Sequence, residues 1–166
     1  MKKLFLLTAL LVSYNFTYAQ CDRTVTFKCD KARDFKNGVL NTEMPMESTI
    51  TIDSSKITLT ATMNGETETV EGEITEISVC DWKEFLVNGK AQYKALLKKA
   101  NDQPQESVID VVSENGNIKI SLALASDTSN KIQVDVAEYK ITEPADPSTK
   151  EEPLKKGKKK KKTTAA

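Results

Sequence analysis

Apolar and polar residues alternate along most of this chain. Between 56 and 63, Ile57, Leu59, Ala61 and Met63 alternate with Lys56, Thr58, Thr60 and Thr62. Between 117 and 125, Ile118, Ile120, Leu122 and Leu124 alternate with Lys119, Ser121 and Ala123. Between 131 and 139, Ile132, Val134 and Val136 alternate with Gln133, Asp135 and Ala137, and between 23 and 29, Val25, Phe27 and Cys29 share one face. Successive side chains of a strand point to opposite faces, so a period of two means strands with one buried and one wet face. Half-buried strands of this kind build antiparallel sheets rather than a parallel α/β core.

Turn signals separate these runs. Asp53-Ser54-Ser55, Asn64-Gly65, Asn115-Gly116 and the stretch 126–130 each fall between two strand patterns. Asn-Gly favours tight hairpins because both residues tolerate positive φ. The pattern predicts an all-β domain, an antiparallel meander of about eight strands closed into a small barrel or folded as a sandwich. Its expected inward residues are Val25, Phe27, Ile50, Ile52, Ile57, Leu59, Ile74, Val79, Ile118, Ile120, Leu122, Ile132 and Val134.

Three stretches are less regular. In 67–82, Val70, Gly72 and Ile74 set one phase and Ile77 and Val79 the other, which predicts a bulge near Thr75-Glu76 or a corner between two strands. Residues 91–100 read as a strand with Ala91, Tyr93, Ala95 and Leu97 inward, preceded by a turn at Asn88-Gly89. Their Ala, Leu, Lys and Gln also suit a helix, and the alternative fold is α+β with one helix near 91–100. No period holds between 30 and 43, where a short helix or an irregular loop is expected.

The two ends differ from this body. Residues 1–19 have the form of a signal peptide, with Lys2 and Lys3, an apolar run from Leu4 to Val12, and Thr17-Tyr18-Ala19 before a mature start at Gln20. The apolar run is too short to span a bilayer, and no transmembrane span is expected in the mature chain. Cys21 raises the alternative of a lipoprotein. Gln20 directly before it and Tyr18 at the usual Leu position disfavour that, and export to the periplasm or beyond is the expectation. Residues 20–143 form the β domain. In 144–166, Pro144, Pro147 and Pro153 precede a run of lysines with no apolar face, which predicts a disordered basic tail.

Charge follows the same division. The chain has 24 basic and 24 acidic residues, with two Lys in the leader and eight Lys against three acids in the tail; the body therefore holds 14 basic and 21 acidic residues, a net charge of −7. An acidic body is ill suited to nucleic acid, whose affinity comes chiefly from phosphate neutralisation. The tail block, Lys155, Lys156, Lys158, Lys159, Lys160, Lys161 and Lys162, would draw an anionic surface through charge alone, since no aromatic residue interleaves it for base stacking.

Cys21, Cys29 and Cys80 allow one disulfide and leave one thiol. Cys29–Cys80 is the favoured pair, because both lie in or beside expected strands. Closing a loop of that length adds about 4 kcal/mol in the chain-entropy model.

The chemistry is defined largely by what is missing. The chain has no His, and no Walker, GxGxxG or GxSxG motif. The usual catalytic triads and zinc ligand sets are therefore excluded. Glu71 and Glu73 are neighbours on one strand face, unlike carboxylates opposed across a cleft. The wider series Glu66, Glu68, Glu71, Glu73 and Glu76 lacks the Asp/Asn/Gly-rich turn of a calcium loop. No enzyme activity, catalytic residue, metal or cofactor is expected; the alternative is a hydrolase, which would need two carboxylates converging in a cleft.

Trp82 is the sole tryptophan and lies beside Cys80. Such a residue serves most simply as a core plug at one end of a sheet. With Phe85 and Tyr93 it is also the candidate lining of an apolar ligand cavity, since barrels of about eight strands can hold one small ligand. The succession of hairpins resembles the broad class of small lipocalin-like β domains exported by bacteria. The Gly-x-Trp signature near the first strand of true lipocalins is missing, so no family follows from it. The resemblance implies a non-enzymatic module binding a small apolar ligand. The alternative is an envelope-associated interaction protein whose basic tail holds it to anionic components.

Overall fold

The computed structural model describes residues 20–63, 65–99 and 102–142. The proposed signal peptide and basic tail lie outside the described residues. Eight antiparallel strands run in chain order around a closed barrel: β1 (Thr24–Lys36), β2 (Val39–Ile52), β3 (Lys56–Met63), β4 (Glu66–Glu84), β5 (Asn88–Lys99), β6 (Gln105–Glu114), β7 (Asn117–Leu124) and β8 (Asp127–Thr142). Each strand pairs with its sequence neighbours, and β1 pairs with β8 to close the ring, Thr24 opposite Thr142 and Phe35 opposite Lys131. Closure removes the exposed edges that an open sheet of this size would present.

The alternation seen along the chain is the inside and outside of this barrel. Val25, Phe27, Ile50, Ile52, Ile57, Ile118, Ile120 and Val134 are buried, together with Ala91, Tyr93, Ala95, Leu97, Ile109 and Val111. The buried interior mixes the small Ala32, Ala91 and Ala95 with the bulky Phe27, Trp82 and Tyr93, as a narrow barrel must to be filled. Leu59, Ile74 and Leu122 pack against this core only partly buried. Ile132, expected inward, is on the inner phase but 48% exposed, because it lies near the start of β8 where the barrel opens.

Threonines fill much of the outer face of β2, β3 and β4. Thr60 and Thr69 oppose each other with hydroxyls 3.4 Å apart, and Thr62 and Thr67 with hydroxyls 3.0 Å apart. Charged pairs tie other strands across the wet surface. Arg33 donates to Glu43 on β2 (2.6 Å) and to Asp135 on β8 (2.7 Å), spanning both neighbours of β1. These outer pairs are solvated and add little individually.

Several expectations change in detail. The helix considered near 91–100 does not form, since 91–99 belong to β5; the inward Ala91, Tyr93, Ala95 and Leu97 override the helix-forming composition. Residues 30–43 form neither helix nor irregular loop. They are the end of β1, a turn at Asn37-Gly38, and the start of β2. A register shift after Cys29 moves the inner phase from Val25, Phe27 and Cys29 to Ala32, and a second shift follows Asp34, which together erase a simple period of two. The turn after β4 is 85–87 rather than Asn88-Gly89, which opens β5. A Cβ on Gly89 would lie 2.3 Å from the Asp81 carbonyl oxygen and 2.7 Å from the Trp82 Cα, so only glycine admits this strand crossing. Residues 126–130 are not a simple loop: β8 begins at Asp127, and a register shift separates its pairing with Leu124 from that of Lys131 with Ala123. The shift between Ile74 and Glu76 in β4 matches the bulge read from the sequence.

Candidate functional site

The two ends of the barrel are built differently. At the end where β1 starts, the segment 20–23 folds over the opening, and Cys21 is buried there in a disulfide with Cys80 of β4. The expected pairing of Cys29 with Cys80 is therefore incorrect. Cys29 is a free, buried thiol facing the interior from β1, beyond the plugged end. Both cysteines of the real pair belong to the plug, a neighbourhood that strand periodicity does not reveal. A stable disulfide belongs to oxidising surroundings, so the bridge points to a non-cytoplasmic environment.

Trp82, Phe85 and Tyr93 do come together, at this plugged end. The rings of Trp82 and Phe85 meet edge to face with centroids 5.6 Å apart, and the Arg23 guanidinium stands 5.3 Å from the Phe85 ring centre. Leu86 seals the bottom at a positive φ of 59°. Its strained turn is held from the neighbouring hairpin: the Ser113 hydroxyl donates to the Leu86 carbonyl (2.9 Å), and the Gly116 amide donates to the Val87 carbonyl (2.9 Å). The free space enclosed by Gln20, Trp82, Phe85, Tyr93 and their neighbours is about 10 Å³. That is at the threshold for one water molecule and far below an organic ligand. These aromatics fill the plug rather than line a cavity.

Burial here has a measurable consequence. It pushes the Cys29 thiol up to about 11, against the pull of the nearby Ser48 hydroxyl and with help from Asp30 and Asp135. It pushes the Tyr93 phenol up to about 12, with Asp22 adding to the effect. Both groups are neutral when protonated, and the unfolded chain releases their protons from 9.0 and 10.0 upward. The folded state therefore binds more protons in this window. Stability should be full below pH 9 and fall as pH rises towards 12. Denaturant midpoints measured across that range should decline, and a Cys29→Ala, Tyr93→Phe variant should decline less steeply; equal slopes would refute the assignment.

The opposite end is open. A bowl of about 520 Å³ is bordered by the ends of β1, β5 and β7 and the starts of β6 and β8. Val70, Leu97, Leu122, Leu124 and Ile132 supply its apolar wall, and buried Ser107 part of its floor. Leu124 is 44% exposed and Ile132 48%, although both stand on the inner phase. Val39, Leu40 and Met63 add exposed apolar side chains at the strand ends around this same opening. Lys36, Lys99 and Lys131, with Asp34 and Asp102, carry the charge at its border. None of these residues was singled out as a site from the sequence. The one visible signal was the inner phase of β5 and β6 turning polar at Lys99, Gln105 and Ser107.

Elsewhere the chemistry is sparse. Glu71 and Glu73 are exposed on the outside of β4, opposite Thr58 and Lys56 of β3. Among the described residues, no three His, Cys, Asp or Glu side chains gather as a metal site. No helix among them is long and apolar enough to cross a membrane. The tail lysines from Lys155 to Lys162 lie outside the described residues.

Fold and site together define an eight-stranded up-and-down barrel, plugged at one end by a disulfide-tethered N-terminal segment and open at the other onto an apolar bowl. No family model, curated protein or solved structure matches the chain.

Proposed function

We propose that this protein is an exported, non-enzymatic binding module that takes the apolar part of a small ligand into the open end of its barrel. The observation that carries this reading is the bowl itself, where inner-phase side chains stay exposed while the rest of the interior is filled. Its volume falls within the range of small-molecule sites, and its wall combines apolar side chains with a few polar groups. Uncovered apolar surface of this kind is removed from water when a ligand binds, at about 25 cal/mol per Å². The Cys21–Cys80 bridge and the leader-like residues 1–19 support export.

Titration with the fluorescent probe N-phenylnaphthylamine tests the reading. The protein should enhance its emission saturably. Leu122→Trp, which fills the bowl, and Ile132→Glu, which charges its wall, should each abolish the enhancement while the fold, followed by circular dichroism, persists. Enhancement that survives both substitutions would place the probe elsewhere and refute the bowl as the site.

A further inference from the structure

We infer that the chain carries a second site beside the bowl, in which the thioethers of Met44, Met46 and Met63 hold a soft monovalent cation, Cu(I). Beyond Met1 the sequence has only these three methionines, and the fold gathers all of them at the open end of one strand pair. None of them lines the bowl, so the site is independent of it. Met44 and Met46 share the inner face of β2, since Met44 is opposite the buried Ala32 and both pack against the core. On β3 the inner phase runs from Ile57 through Leu59 and Ala61 to Met63. Strands β2 and β3 pair with Glu47 opposite Thr62, so the register continued by one residue sets Met46 opposite Met63. Opposite residues on one sheet face have Cβ atoms roughly 5 Å apart, and diagonal ones, as Met44 is to Met63, roughly 7 Å. Three long, flexible side chains at those spacings can bring their sulfurs to one ion.

The setting suits a cation with soft ligands rather than a sealed core. Met63 is 49% exposed and Met44 and Met46 are only partly buried, so these side chains meet solvent at the mouth. Pro45 stands between the two and holds Met44 in an extended conformation, which keeps both on one face. Strand β2 has no basic residue, and Glu66 of β4 is directly opposite Met63. The charged residue facing this trio across the ladder is thus a carboxylate. Thioethers are neutral and polarisable; they select Cu(I) and leave harder divalent ions to nitrogen and oxygen ligands. With no His in the chain, no imidazole competes for the ion. The one other soft group on this face is the free thiol of Cys29, opposite Ser48, the next inner residue of β2 after Met46. It is buried more deeply, and the test removes it.

NMR of a Cys29→Ala protein, isotopically labelled at its methionine methyl groups, tests the assignment directly. Silver nitrate in chloride-free buffer is the probe, because Ag(I) shares the ligand preferences of Cu(I) and does not change oxidation state. The methyl signals of the three residues, assigned through Met44→Leu, Met46→Leu and Met63→Leu, should shift together and saturate at one Ag(I) per chain. Zn(II) should move none of them. In anaerobic competition for Cu(I) against bicinchoninate, the Cys29→Ala protein should take up the metal and the same protein with all three Leu substitutions should lose it. Leu replaces Met at nearly constant volume, so circular dichroism should show the fold retained. Methyl signals unmoved by Ag(I), one signal moving alone, or Cu(I) uptake that survives the triple substitution would each overturn the site.

Discussion

Removing the plug's disulfide by Cys21→Ala, Cys80→Ala should lower the free energy of unfolding by about 2–5 kcal/mol. The bridge closes a loop with a sequence separation of 59, so its loss restores much conformational freedom to the unfolded chain. It also frees the segment 20–23, which otherwise covers Trp82 and Phe85. Urea denaturation with and without reductant provides the check. Reductant should shift the wild-type midpoint down to that of the double variant and leave the variant unmoved. A wild-type midpoint insensitive to reductant, with the disulfide shown by mass to be open, would contradict the assignment of stability to this bridge.

Trp82→Ala should cost about 3–5 kcal/mol, as truncation of a buried aromatic generally does. The plug is already filled to within about 10 Å³, so the lost ring leaves a real cavity. Trp82→Phe should cost far less, roughly 1–2 kcal/mol, because it keeps a ring against Phe85 and sacrifices no hydrogen bond. The Trp82 indole nitrogen is buried without a partner, so replacing it with carbon relieves an unsatisfied donor. Thermal melts followed by circular dichroism at the β-sheet band would rank the three proteins. A Phe variant as unstable as the Ala variant would mean that the indole N–H has a role the packing does not show. N-phenylnaphthylamine fluorescence at the open end, the test of the proposed binding reading, should be unaffected by either change.

The contrast between the ends also explains what the sequence could and could not convey. Strands β3, β7 and the middle of β8 were plain because their inner residues are apolar without interruption. The end of β1 and the start of β2 were obscured for two local reasons. Bulges shift the inner phase after Cys29, and near the mouth that phase carries Asp34 and Lys36 instead of apolar groups. The Asn37-Gly38 dipeptide, with φ of 51° and 75°, is the same kind of hairpin turn as Asn115-Gly116, yet without flanking alternation it does not stand out. The association of Trp82, Phe85 and Tyr93 was legible because all three belong to one hairpin. The room around them was not, since it depends on how far 20–23 reaches into the barrel. The cysteine pairing failed for the same reason. The bowl is a property of the closed ring: Val70, Leu97, Leu122 and Ile132 come from four strands, and Asp34 and Lys36 of β1 join them only when β1 pairs with β8.

That closure bears on how the molecule comes into being. Seven of its eight strand junctions join consecutive strands, and each can form as soon as its two strands exist. The eighth, between β1 and β8, joins Thr24 to Thr142 and waits for the last strand. Ordering so distant a contact carries a loop-closure cost that local hairpins avoid, and topologies of this kind fold slowly. Cys21 and Cys80 both precede β5, so their bridge can be oxidised while the sheet is still an open ribbon. The covalent plug is then in place before the seam shuts, and Asp34 and Ile132 come to face one another only in that final step. A chain emerging from its N-terminus thus completes its plugged base early and its open mouth last.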